Sequence, residues 1–184
     1  LVDGWPKKFE PAPLPVFFSF SQNPLALVDM DRDGKQETVT VDRNRLVVFD
    51  DNGNVKPGFP VILPGTYETP YGYMKYASGP AFGDLDGDND LELVVKIPRL
   101  VDQATLSGFS TQIVAYHHDG TIVQGFPSGV YPVAQLPNND RHVLGTGYGA
   151  FDNHPVVTDM NGDGKAEIAF ITGGENIDAH TSNF

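Results

Sequence analysis

At 184 residues the chain is long enough to bury a sizeable core, and its 20 Gly and 15 Pro point to many turns between short segments. The formal charge of −12 argues against nucleic acid or an anionic membrane surface as a partner, and the absence of Cys excludes disulfides, zinc-thiolate sites and cysteine nucleophiles. No apolar run approaches the ~18 residues that cross a bilayer as a helix, so direct membrane insertion is not expected.

The chain opens on Leu1 rather than Met and shows no signal-peptide pattern, so it reads as a processed or partial chain. Its first residues carry Gly4-Trp5-Pro6, a motif that returns as Gly58-Phe59-Pro60 and Gly125-Phe126-Pro127. Each is a turn with an aromatic ring packed beneath it. Residues 1–23 are therefore read as the closing strand of a preceding unit, followed by a Pro-rich connector (Pro11, Pro13, Pro15).

Repeat 1 is assigned to residues 24–78. Short apolar runs, Leu25-Ala26-Leu27-Val28 and Thr38-Val39-Thr40-Val41, flank an acidic stretch and read as strands. Arg45-Leu46-Val47-Val48-Phe49 supplies another strand, and Asp51-Asn52-Gly53 is a hairpin-turn signal. Four antiparallel strands in all are expected. Tyr67, Tyr71, Tyr73 and Tyr76 crowd the following segment; amphipathic rings on a loop suit sugar stacking or a protein contact, although covering a sheet edge is the plainer reading.

Repeat 2, residues 79–154, places Leu93-Val94-Val95 after its own acidic stretch and reads residues 98–110 as an insertion. His117 and His118 occupy the hairpin-turn place and are read as turn residues, since neighbours on a strand face opposite ways. Gly145-Thr146-Gly147-Tyr148-Gly149 lacks the strand and helix of a phosphate loop. Repeat 3, residues 155–184, is expected to be incomplete and to stop before any outer strands.

The acidic stretches carry the chemistry. Asp29, Asp31, Asp33 and Glu37 stand at positions 1, 3, 5 and 9 of a nonapeptide; Asp84, Asp86, Asp88 and Glu92 repeat the spacing, as do Asp159, Asn161, Asp163 and Glu167. Half of the 24 Asp and Glu fall in these stretches. Clustered carboxylates repel one another unless a cation lies between them, and alternate hard oxygens suit Ca²⁺. Lys35, Asp90 and Lys165 at position 7 would each lend a backbone carbonyl. One such run is an ordinary solvated turn, but three at one spacing are a designed feature. An EF-hand is excluded, because position 12 is Thr40, Val95 or Phe170 instead of a bidentate Glu.

With Gly83-Asp84 leading into Asp-x-Asp-Gly between two apolar strands, the chain resembles the FG-GAP/VCBS repeat, over nearly its whole length. The resemblance implies an all-β fold: β-propeller-type blades of four-stranded antiparallel sheets, with calcium loops between strands. It also implies three structural Ca²⁺ sites on the residues just named, with Asn161 a neutral departure and Asn89 standing where Gly34 and Gly164 permit a sharp turn. A propeller needs about four to eight blades. The chain is therefore expected either to be part of a longer polypeptide or to associate head to tail with its own copies.

Free calcium is abundant outside cells and scarce in the cytosol, so an extracellular or cell-surface location is expected. The expected role is adhesion, matrix or filament assembly, or recognition of a protein or carbohydrate ligand. The alternative is part of a secreted polysaccharide lyase resembling the rhamnogalacturonan-lyase type; enzymatic activity stays open, because no base or triad stands out.

Overall fold

The computed structural model describes residues 25–42, 45–64, 68–69, 72–73, 78–102, 107–126, 131–132, 154–171 and 179–182. Among them every regular element is a β-strand and every sheet is antiparallel. Strands β1 (Leu25–Val28), β2 (Glu37–Asp42), β3 (Arg45–Phe49) and β4 (Val61–Ile62) form the first sheet in that order. A small hairpin of β5 (Glu68–Thr69) and β6 (Gly72–Tyr73) follows. The second four-stranded sheet runs β7 (Ala81–Gly83), β8 (Glu92–Asp102), β9 (Ser107–Tyr116), β10 (Tyr131–Pro132). The third is β11 (Val156–Thr158), β12 (Glu167–Ile171), β13 (Ala179–Ser182).

Each sheet is thus a meander whose consecutive strands pair, which is the blade topology expected from the sequence. The reason lies in the residues: β2 and β3 are rich in β-branched side chains, and the interior of a sheet buried on both faces favours them. Pro80 and Pro155 stand immediately before β7 and β11, where a missing N–H costs the ladder nothing.

Alternation along the middle sheet decides how the sheets stack. Leu93, Val95 and Ile97 of β8, with Val114 and Tyr116 of β9, pack against Val39, Val41, Leu46 and Val48 of the first sheet. The intervening residues Val94, Ile113 and Ala115 point the other way, into Ile168 and Phe170 of the third. One sheet therefore supplies both of its faces to two separate cores, as the period-2 geometry of a strand requires. The outer faces carry exposed apolar residues, Leu25 and Leu27 on β1 and Val156 on β11.

Adjacent sheets also meet through their backbones. Leu91 N–H donates to Met30 O at 2.8 Å, and Ala166 N–H donates to Asp84 O at 2.6 Å, stitching each acidic loop to the next. A Cβ on Gly83 would run into Val157 and Ala166 of the third sheet. Gly58, in the Gly-Phe-Pro turn of the first sheet, sits against the backbone of Asp119 and Gly120 in the second. In the first sheet this turn is therefore a contact with the neighbouring sheet.

Two expectations change. Within the insertion at residues 98–110, the described residues lengthen β8 and β9, which pair from Leu93↔Tyr116 out to Asp102↔Ser107. Repeat 3 does carry a third strand, β13, paired with β12 through Ile168↔Ser182. The segment Ala179-His180-Thr181-Ser182 carries neither an apolar run nor a turn signal like Asn52-Gly53, so nothing local marks it as a strand. Tyr67, Tyr71 and Tyr76 lie outside the described residues, as do residues 1–23, and of Tyr73 only the backbone in β6 is described.

Candidate metal centre

Each acidic stretch closes a hairpin. Val28 pairs with Glu37, Gly83 with Glu92 and Thr158 with Glu167, so the position-9 Glu opens the second strand opposite the last residue of the first. Loops 1, 2 and 3 below are residues 29–37, 84–92 and 159–167.

The three loops share one hydrogen-bond pattern. Glu37, Glu92 and Glu167 each accept the N–H of position 2 on Oε2, from Met30 (2.8 Å), Leu85 (2.6 Å) and Met160 (2.7 Å). The leading Asp accepts the position-6 N–H: Gly34 to Asp29 at 3.0 Å, Asn89 to Asp84 at 2.9 Å, Gly164 to Asp159 at 2.9 Å. Position 3 accepts from position 5 and position 5 from position 7, as in Asp88 N–H to Asp86 (3.1 Å) and Asp90 N–H to Asp88 (2.9 Å). These backbone donors turn the side chains inward; in Asp159 the N–H groups of Gly164 and Gly162 hold the carboxyl below its ordinary pKa.

The turn demands left-handed backbone twice. Position 6 has φ of 88°, 80° and 90° at Gly34, Asn89 and Gly164, so Asn89 does adopt the conformation its neighbours reach with Gly. Position 4 does so too, at Gly87 (83°), Gly162 (81°) and, without a glycine, Arg32 (52°). The exception has a consequence. In loops 2 and 3 the position-4 N–H donates to the leading Asp, from Gly87 to Asp84 and from Gly162 to Asp159, whereas Asp29 Oδ1 is buried with no hydrogen-bond partner.

The donor sets fit a hard divalent cation. Carboxylate oxygens of Asp29, Asp31 and Asp33 lie within 4.8 Å of one another, as do those of Asp86, Asp88 and Glu92 together with a ring nitrogen of His117. An orphaned buried oxygen at Asp29 is the kind of atom a cation satisfies. Loop 3 offers Asp159, Asp163 and Glu167. Its Asn161 amide donates to Asp163 Oδ2 (3.1 Å) and Glu167 Oε1 (3.0 Å), bridging two of those acids. Replacing Asn161 by Asp removes that bridge and adds a hard ligand. The variant should melt lower than wild type in chelator and bind calcium more tightly at one site, by calorimetric titration.

The sequence did not single out the groups that answer position 9. In loop 1 Lys56 Nζ lies 2.6 Å from Asp31 Oδ2 and 3.1 Å from Glu37 Oε1. Its hydrogen bond holds Asp31 below the ordinary carboxylate range. Burial alone would lower the Lys56 pKa, but hydrogen bonds to Asp31 and Glu37 outweigh it and hold the ammonium above its usual value. In loop 2 the place is taken by His117, whose Nδ1 is 3.3 Å from Glu92 Oε1. His117 is a turn residue as expected, bonding Thr121 and Gly120 through its backbone, but its side chain belongs to loop 2. His118 instead faces Asp90, at 3.2 Å.

Glu92 is fully buried, and burial pushes its pKa up, with the charges of Asp86 and Asp88 adding to the rise. A raised folded-state pKa stabilises where the group is protonated, below its unfolded pKa, and that contribution is lost as pH rises through the folded value. Without a cation, the charged form of Glu92 is therefore disfavoured in the fold. Glu92→Gln keeps an acceptor for Leu85 N–H and should raise the melting temperature in chelator by a few degrees. In calcium the sign should reverse, because a charged ligand is gone.

A family model described as an FG-GAP-like repeat matches residues 29–95, from the first residue of loop 1 into β8. No curated protein and no solved structure matches the chain.

Proposed function

The chain carries the FG-GAP-like repeat, and from that premise we propose that it is a calcium-rigidified, propeller-type module of an exported protein. Its task is adhesion, matrix or filament assembly, or recognition of a protein or carbohydrate at a surface. The observation that carries the calcium reading is the threefold recurrence of one hydrogen-bond pattern ordering the acids of each loop, together with converging oxygens in loops 1 and 2 and a buried oxygen of Asp29 left over.

The cations are structural. Ca²⁺ would be held by Asp29, Asp31, Asp33 and Glu37, by Asp84, Asp86, Asp88 and Glu92, and by Asp159, Asn161, Asp163 and Glu167. Backbone carbonyls of Lys35, Asp90 and Lys165 would add to these. Bound there, calcium screens the mutual repulsion of the acids and fixes the hairpins whose backbones stitch one sheet to the next. Three such ions would halve the formal charge of −12. Loops beyond the sheets, including the segment with Tyr67, Tyr71, Tyr73 and Tyr76, would provide ligand contacts, and the apolar outer faces at Leu25, Leu27 and Val156 would meet further blades or a second copy.

Calorimetric titration of chelator-stripped protein with CaCl₂, with MgCl₂ as the comparison, tests the metal reading; no heat with either ion rejects it. Incubation with acidic polysaccharides, followed by ultraviolet absorbance of unsaturated products, tests the lyase alternative. Binding without product formation is the expected result.

A further inference from the structure

We propose that Lys56 is a built-in, exchangeable counter-ion of loop 1, which makes that loop the weakest of the three cation sites and the last to fill. The inference rests on the calcium reading above and goes beyond it, since the motif alone, with a neutral Asn161 in loop 3 and four acids in loop 1, would not place loop 1 last.

Position and geometry both support it. Lys56 is the second residue of the hexamer ending in Gly58-Phe59-Pro60, and the two other copies of that hexamer place Val2 and Val123 there. Val123 is buried in the core between the second and third sheets. An apolar packing position has thus become a lysine in the repeat where Lys56 N–H bonds Val48 O at 2.8 Å and the turn lies beside loop 1. Its ammonium engages Asp31 Oδ2 and Glu37 Oε1, two of the four side chains that would coordinate the ion.

Loop 1 is nevertheless built to receive a cation. Asp29 Oδ1 is buried without a partner, and it belongs to the group of oxygens from Asp29, Asp31 and Asp33 that converge within 4.8 Å. A divalent ion entering there meets Lys56 as a like charge and must displace it from Asp31 and Glu37 to gain those ligands. Loop 2 holds no such fixed ammonium at position 9: its counterpart is the ring of His117, whose nitrogen lies within 4.8 Å of oxygens of Asp86, Asp88 and Glu92 and can itself serve as a ligand, as an ammonium cannot. In loop 3 the counterpart is the neutral amide of Asn161. A unit charge a few ångströms away at a part-buried site is worth tenfold or more in affinity.

Calcium titration of the stripped protein by isothermal calorimetry reads this directly. Wild type should show two tighter sites and one weaker site. Lys56→Met should tighten the weak site by about tenfold or more and leave the others unchanged, while Lys56→Arg should keep it weak. Asp33→Asn assigns the site, and it should abolish the weak class only. The proposal is overturned if Lys56→Met leaves the weak class as it was, or if Asp33→Asn removes a tight site. Absence of calcium binding by every variant would instead reject the calcium reading itself. Should Lys56→Met fold poorly when stripped, Lys56→Gln serves in its place. A melting temperature for either variant that falls below wild type in chelator and recovers in calcium supports the proposal, whereas no fall in chelator contradicts it.

Discussion

Removing calcium is expected to lower the melting temperature by roughly 10–20 °C. A ligand at about a hundredfold its Kd stabilises by ~2.7 kcal/mol per site, and 1 kcal/mol shifts a chain of this size by ~2–4 °C, so two filled loops already reach that range. The effect is large because the loops do two things at once. They gather acids that repel one another without a cation, and they hold the backbone groups that join sheets, Met30 O to Leu91 N–H and Asp84 O to Ala166 N–H. Loosening one loop therefore loosens the neighbouring sheet as well. Differential scanning calorimetry with and without chelator measures it. An unchanged curve in excess chelator would remove the structural role of the metal, whatever the titration shows.

Repeated spacing was the legible part of this molecule. Asp-x-Asp-x-Asp between apolar runs names a hairpin, because a loop that turns its oxygens inward must send both flanking strands back side by side. The structure pairs Val28 with Glu37, Gly83 with Glu92 and Thr158 with Glu167 accordingly. The unbroken apolar run Leu93-Val94-Val95 marks a strand, and the structure buries it on both faces.

What stayed hidden depends on residues far apart in the chain. Position 7 is expected only to lend a backbone carbonyl, yet in loops 1 and 2 its side chain meets the turn beyond β3 or β9. Lys35 pairs with Asp51 at 3.3 Å in the first repeat, and Asp90 faces His118 at 3.2 Å in the second. The Arg32 guanidinium reaching Asn89 at 2.5 Å joins loop 1 to loop 2 through a similar long-range match. Such pairs have no local signature, since each residue alone is an ordinary polar side chain in a turn. Lys56 is different. It interrupts an apolar column, Val2 and Val123, when the three Gly-aromatic-Pro hexamers are aligned.

Those hexamers also carry the second large effect. Gly58→Ala should destabilise the protein far more than a glycine in a surface turn ordinarily would. Gly58 has φ +89°, where an L side chain costs about 1–2 kcal/mol by itself. Its new Cβ would in addition overlap the carbonyl oxygen of Asp119, which belongs to the neighbouring sheet and is fixed by the turn in which His117 and Thr121 bond each other. Backbone cannot step aside as a flexible side chain can, so the two sheets must part, and a total cost of about 3–5 kcal/mol is expected. Gly125→Ala is the matched control: the same motif position, φ +93°, and no described atom within 4 Å of the added carbon. It should lose only the conformational part, and both variants should bind calcium with unchanged stoichiometry. Chemical denaturation of the pair, run in saturating calcium, separates the two contributions. Equal losses would mean that the Gly58 turn is an ordinary bend, and that what holds one sheet to the next lies in the apolar cores and the acidic loops alone.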